Sequence, residues 1–165
     1  MQRGTLADEI KSRPLPPEQA AFLNVLRTED LLTAELRALL TGHGITAQQY
    51  NVLRILRGAD PEGLPILEIG VRMVTRVPDV TRLVDRMEAA QLVVRTRSDS
   101  DRRVVRTTLT AEGTRIVDSL LQPVTELHRQ QLSHLTPDEL AELSRLLEKI
   151  RARDELPRAC EPDGE

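Results

Sequence analysis

Arg82 is the residue in this 165-residue chain best suited to selective chemistry on a flat, electron-rich edge, because a guanidinium can grip a guanine with two hydrogen bonds. Thr81 places a hydroxyl beside it, and Pro78 and Asp79 stand at the end of the same stretch that would enter a groove. Arg76 and Arg86 flank this centre at positions better suited to phosphates, which fix register without reading sequence. Further along, Asp101, Arg102 and Arg103 form a charged cluster, in which Asp101 can orient Arg103 through a charge-assisted hydrogen bond while Arg102 adds attraction for a backbone.

These residues need two elements to carry them. Val80, Leu83, Val84 and Met87 recur three and four apart, which predicts a helix with a dry stripe, and Arg82 and Arg86 fall on its wet side. After Met87 the period changes: Leu92 to Arg97 and Val104 to Thr110 are rich in β-branched residues, separated by a polar run from Ser98 to Arg103. That pattern predicts a hairpin with a charged tip. Taken singly, such a helix is more often merely solvated and such a hairpin ordinary. Placed together they outline a winged helix, whose helix can enter a major groove while its wing reaches the neighbouring backbone, so duplex DNA is the expected partner.

The remaining chain reads as scaffold. Residues 1–16 are polar and end in SRPLPP, a flexible N-terminal arm. Phe22, Val25, Leu26, Leu32, Leu36, Leu39 and Leu40 predict a long helix over residues 17–42, stopped by Gly42 and Gly44. Thr46 and Gln49 have capping-box spacing and open a second helix that carries Tyr50, Val52, Leu53, Ile55 and Leu56. After a loop come a residue or two of strand near Leu64, a short helix around Leu67 to Met73, and a turn at Thr75 to Val77. Pro78 is expected at the first position of the next helix, with Asp79 at its positive end.

Past the hairpin, Thr110 caps a long helix with Pro123 inside it, and Thr136, Pro137, Asp138 and Glu139 start a last one bearing Leu140, Leu143, Leu146, Leu147 and Ile150. Residues 154–165 form a loose tail. The fold class expected is therefore mainly α: a winged helix-turn-helix lobe at about residues 46–110, a small β-hairpin wing, and long terminal helices at about residues 17–42 and 111–152. Those terminal helices carry more Leu than the lobe can cover, which predicts a twofold homodimer or, alternatively, a bundle that covers itself.

Composition sets the outer bounds. Net charge is −3, yet the stretch from Arg72 to Arg106 holds nine Arg against five acids, +4, which leaves −7 for the rest. A basic face on an acidic body fits DNA better than the whole-chain charge suggests. Lys11 and Lys149 are the only lysines, so the Arg preference is chain-wide and does not by itself mark this stretch. Phe22 and Tyr50 are the only aromatic residues, too few for an RNA-stacking platform. No apolar run of membrane length and no secretory leader is present, so a cytoplasmic protein is expected. His43, His128 and His134 are scattered without metal-ligand spacing, and no phosphate loop or nucleophile elbow occurs, so neither a metal, a cofactor nor an enzyme is expected. Cys160 lies in an acidic, Pro-containing tail that disfavours thiolate, although a thiol-based redox response remains an alternative. A winged-helix module that binds protein rather than DNA is the other.

With these residues assembled, the sequence resembles the multiple-antibiotic-resistance regulator (MarR) family over roughly residues 17–152. The family's wing signature is Asp-x-Arg, a strand, then Leu-Thr-x-x-Gly. It is met by Asp101, Arg103, Leu109, Thr110 and Gly113, and VTRLVDRMEAAQLVVR resembles the recognition helix and its exit into the wing. Gln91 stands where the family usually has Gly, and Thr107 where the wing strand often has Val. The resemblance implies a homodimer that binds a pseudo-palindromic operator, most often as a repressor released by a small molecule. It also implies that Arg103 is the wing-tip contact. Family ligands such as phenolic acids bind between the dimerisation helices and the DNA lobe, where Phe22, His43 and Tyr50 can be placed by analogy, although a lone Tyr or Phe at helical spacing is more often core.

Overall fold

Side-chain caps decide where most of the helices begin. The computed structural model describes residues 5–59, 61–97 and 105–152. Its elements run α1 (Leu6–Glu9), α2 (Pro17–Thr41), α3 (Ala47–Arg57), β1 (Leu64–Pro65), α4 (Ile66–Arg72), α5 (Val80–Ala89), β2 (Val93–Arg97), β3 (Val105–Leu109), α6 (Ala111–Gln131) and α7 (Pro137–Arg151). Thr46 and Gln49 form the expected box at α3: Gln49 N donates to Thr46 Oγ1 at 3.2 Å and Thr46 N donates to Gln49 Oε1 at 2.8 Å. Thr136 and Glu139 do the same at α7, with Pro137 at the first helical position.

Two expectations need correction. The segment read as a flexible arm contains α1, one capped turn in which Asp8 N donates to Thr5 Oγ1 and Asp8 Oδ2 accepts from Thr5 N at 2.7 Å. Leu6 is buried, and Arg27 of α2 pairs with Glu9 at 2.8 Å, so tertiary contacts stabilise a turn too short to stand alone. The second correction concerns α5. Asp79, not Pro78, marks its start: the Asp79 side chain accepts from Arg82 N at 2.9 Å, which makes Asp79 the N-cap and leaves Pro78 one residue outside. A side-chain acceptor for an orphan N–H outweighs the preset φ of proline.

The three strands form one antiparallel sheet in the order β1-β3-β2, with Leu64 opposite Thr107, Arg95 opposite Thr107 and Val93 opposite Leu109. β2 and β3 are the predicted hairpin. Residues 98–104, with Asp101, Arg102 and Arg103, lie outside the described residues, as do residues 1–4 and 153–165, with Cys160.

Two contact units are present, residues 1–127 and residues 128–165. The first holds the core: Leu40, Ile45, Tyr50, Val52, Leu53 and Leu56 meet Ile69, Leu83, Val84, Met87, Val93, Val117, Leu120 and Val124. Arg57 of α3 grips Asp118 of α6 at 2.7 and 3.4 Å, and that bond raises the pKa of the guanidinium. The second unit holds the last turn of α6 and all of α7. Leu143, Leu146 and Ile150 of α7 are exposed, and none of its residues is fully buried. No helix among the described residues is long and apolar enough to cross a membrane.

The Leu-Thr-x-x-Gly signature proves to be a joint between the exit of α5 and the start of α6. Thr110 Oγ1 donates to Gln91 O at 2.6 Å and accepts from Gly113 N at 3.0 Å, while Thr110 N donates to Leu92 O at 3.2 Å. A Cβ on Gly113 would lie 2.0 Å from Leu92 O, so only glycine admits the carbonyl there.

Candidate nucleic-acid interface

Presentation of Arg82 starts with what α5 buries. Leu83, Val84 and Met87 are almost fully buried, each contributing roughly 1.5–3 kcal/mol of apolar burial, and this fixes the helix by its inner face. Thr81, Arg82, Asp85 and Arg86 are exposed on the other side. The Arg82 side chain is 83% exposed, with its Nε 3.7 Å from Asp79 Oδ2. It is lightly held and free to reach.

The helix-turn-helix pair is set by α4 and α3. Gly70 of α4 faces Val80, whose Cγ2 would stand 3.3 Å from an added Cβ, so a small residue there lets the two helices close. Asn51 of α3 accepts from Val74 N at 2.9 Å through Oδ1, pinning the turn between α4 and α5. Sequence patterning gave no sign of Asn51, since its role depends on a contact 23 residues away.

At its far end α5 stops in a helix-ending turn built on Gln91. Its φ is 57°, Gln91 N donates to Glu88 O at 2.9 Å, and Leu92 N donates to Met87 O at 2.9 Å. The family glycine missing from the sequence would occupy a left-handed position, and Gln91 adopts it all the same. Leu92 is then buried at the mouth of the wing.

Arg76 and Arg86 have no carboxylate partner among the described residues and are exposed. Arg86 also lines a recess of about 410 Å³ with Thr46, Gln48, Gln49, Val77 and Leu83, a mixed polar and apolar hollow between the start of α3 and α5. The residues placed by analogy in a ligand site do not gather in one chain. Phe22 lies near the start of α2 and is 62% exposed, whereas His43 lies just past its end, roughly 30 Å away at 1.5 Å per residue. Tyr50 is buried in the core, and burial pushes its phenol pKa up against the opposing charge of Arg54. His43 places Nδ1 3.0 Å from Leu39 O.

Residues 43–104 match the model of the MarR family. The chain is similar to the homoprotocatechuate degradative operon repressor of Escherichia coli, 27% identical over 128 residues that cover 78% of this chain and 85% of that one. A solved MarR transcription factor from Planctomyces limnophilus is 42% identical, with TM-score 0.61, covering 83% of this chain and 99% of the other. A cysteine-to-serine mutant of Escherichia coli MarR complexed with operator DNA is 30% identical, with TM-score 0.67, covering 89% and 99%.

Proposed function

The chain belongs to the MarR family of winged-helix transcriptional regulators, and from that premise we propose a homodimeric repressor whose two α5 helices read a pseudo-palindromic operator until a small molecule releases it. The observation that carries this reading is Arg82, almost fully presented at the N-terminal turn of a helix whose opposite face is locked into the core. Arg82 and Thr81 read base edges, Pro78 and Asp79 enter first, and Arg76 and Arg86 hold phosphates. At the wing, the family motif supports Arg103 as the tip contact, with Asp101 orienting it and Arg102 adding attraction.

Dimerisation is supported by exposed apolar side chains on α2, Phe22, Val25, Leu26 and Leu31, and, separately, on α7. Exposed apolar surface of this kind calls for a cover, and a second copy is the commonest one. A small-molecule effector is supported by the recess beside Arg86, where a guanidinium, two amides and the apolar Val77 and Leu83 suit a small aromatic acid such as a phenolic acid. The name of the Escherichia coli repressor, which refers to breakdown of such a compound, favours the same class. Catalysis has no part in this reading, and the cytoplasm, where the DNA is, is its place of action.

The test is a titration of duplex from the protein's own upstream region against wild type, beside scrambled duplex, with the mass of the complex measured in solution. Two chains per duplex, a preference for the upstream sequence and a steep loss of affinity with salt are expected. Equal binding to both duplexes, or to neither, overturns it in favour of a protein-binding module.

A further inference from the structure

We propose that Arg95 is a positioning residue that fixes the wing against the recognition helix, and that it is not a phosphate contact. This rests on the DNA-reading assignment above. Arg95 stands in the middle of β2, opposite Thr107, and its side chain is only 22% exposed. Its Nη2 donates to Asp85 Oδ1, its Nε is 3.2 Å from Glu88 Oε2, and its backbone N donates to Glu88 Oε1 at 3.0 Å. Both carboxylates belong to α5, one and two turns beyond Arg82.

Three features make this a tether. First, β2 is an edge strand in the order β1-β3-β2, and Glu88 takes up a backbone N–H on that strand. Second, one cation facing two carboxylates leaves a local charge of −1, which repels phosphate, unlike the surroundings of Arg76 and Arg86. Third, β3 is held by its pairing with β1 and β2 leaves α5 at Leu92, so the inner side of the hairpin is already anchored. Arg95 adds the direct tie between the outer edge of β2 and α5, about 10 Å further along the strand, and so fixes the angle between wing and helix.

With the angle fixed, Arg82 and the wing meet the duplex in one register. Without it, the ordering of the wing must accompany binding, and both correct and incorrect sequences can be met by a compromise pose.

The experiment uses full-length Arg95→Gln and Arg95→Lys beside wild type, titrated with upstream and scrambled duplex over a series of salt concentrations, with thermal unfolding measured in parallel. Preference for the upstream duplex should fall about tenfold or more, within the range of a lost bidentate base contact. The slope of log affinity against log salt should stay unchanged, and Lys, which cannot hold both carboxylates, should not restore preference.

A slope shallower by about 0.9, with both duplexes weakened alike and Lys as good as Arg, would overturn the inference in favour of a phosphate contact. An unchanged preference with only a lower Tm would overturn it in favour of simple scaffolding. Should Arg95→Gln fail to fold, the Asp85→Asn, Glu88→Gln double variant cuts the same tether and leaves Arg95 free. Preference should then fall although the face is more positive by two charges, and tighter binding to the upstream duplex with preference intact contradicts the tether. Loss of preference in wild type itself strikes the DNA-reading assignment, and this inference with it, and is seen before any variant is compared.

Discussion

Asp79 holds Arg82 at two points: its Oδ1 accepts the Arg82 backbone N–H at 2.9 Å and its Oδ2 stands 3.7 Å from the guanidinium Nε. The cap that starts α5 therefore also restrains the side chain proposed to read DNA. Because the guanidinium is so exposed, the ion pair itself contributes little to stability, and the capping bond is the part that matters.

Asp79→Ala should accordingly destabilise the protein by about 1 kcal/mol, whereas Asp79→Asn, which keeps a capping oxygen, should change stability by less than about 0.5 kcal/mol. Urea unfolding of the two variants checks this. Equal losses would mean that the charge, not the cap, is what holds the helix end.

Gln91 occupies a left-handed position with φ 57°, where a Cβ is disfavoured. Gln91→Gly should raise stability by up to about 1 kcal/mol, offset in part by the greater freedom of glycine in the unfolded chain, and Gln91→Val should lower it by more than 1 kcal/mol. Denaturant midpoints at constant m-value would show both signs. A stabilising Val would contradict the assigned turn.

Thr107 is fully buried, and its Oγ1 has no hydrogen-bond partner among the described residues. The family often has Val here, and Thr107→Val removes an unpaired hydroxyl without changing shape. A gain of about 1 kcal/mol is expected by calorimetry or urea unfolding. A loss of that size would show that the hydroxyl is satisfied after all.

Acid should loosen the start of α7. Bonds from the backbone N–H and then the hydroxyl of Thr136 lower the pKa of Glu139 below its ordinary value of 4.5. A carboxylate whose pKa is lowered on folding adds stability above the ordinary value, and that contribution is lost as pH falls through the lowered one. Glu139→Gln, which keeps capping-box chemistry but does not titrate, should lose less helix than wild type between pH 5 and roughly pH 3 by circular dichroism. Identical acid curves would remove Glu139 from the account.

What the sequence disclosed and what it hid divide along physical lines. Thr46 with Gln49, Thr136 with Glu139, and Thr110 with Gly113 were legible because a cap is settled within four residues. The stripe of Leu83, Val84 and Met87 was legible because a period of 3.6 needs no knowledge of what lies beneath it. Thr5 and Asp8 have capping spacing too, but one turn of helix depends on Leu6 finding cover and Glu9 finding Arg27, which no local pattern announces. Pro78 falls one residue outside α5 because the Asp79 side chain, by accepting the Arg82 N–H, sets the cap in spite of proline's preset φ. In the sequence Arg95 is one of nine arginines in a basic stretch, and only the fold shows it turned toward Asp85 and Glu88. Asn51 and the recess at Arg86 likewise depend on elements distant in sequence. Phe22, His43 and Tyr50 share a place only by analogy with the family, and within one chain helix length separates the first two.

The most direct measurement compares wild type with Arg82→Ala on upstream and scrambled duplex under one salt condition. The account predicts that wild type prefers the upstream duplex and that Arg82→Ala loses roughly 1–3 kcal/mol of that preference while retaining most of its binding to scrambled duplex. Preference left intact in Arg82→Ala, or both duplexes weakened equally, would contradict the assignment of base reading to Arg82.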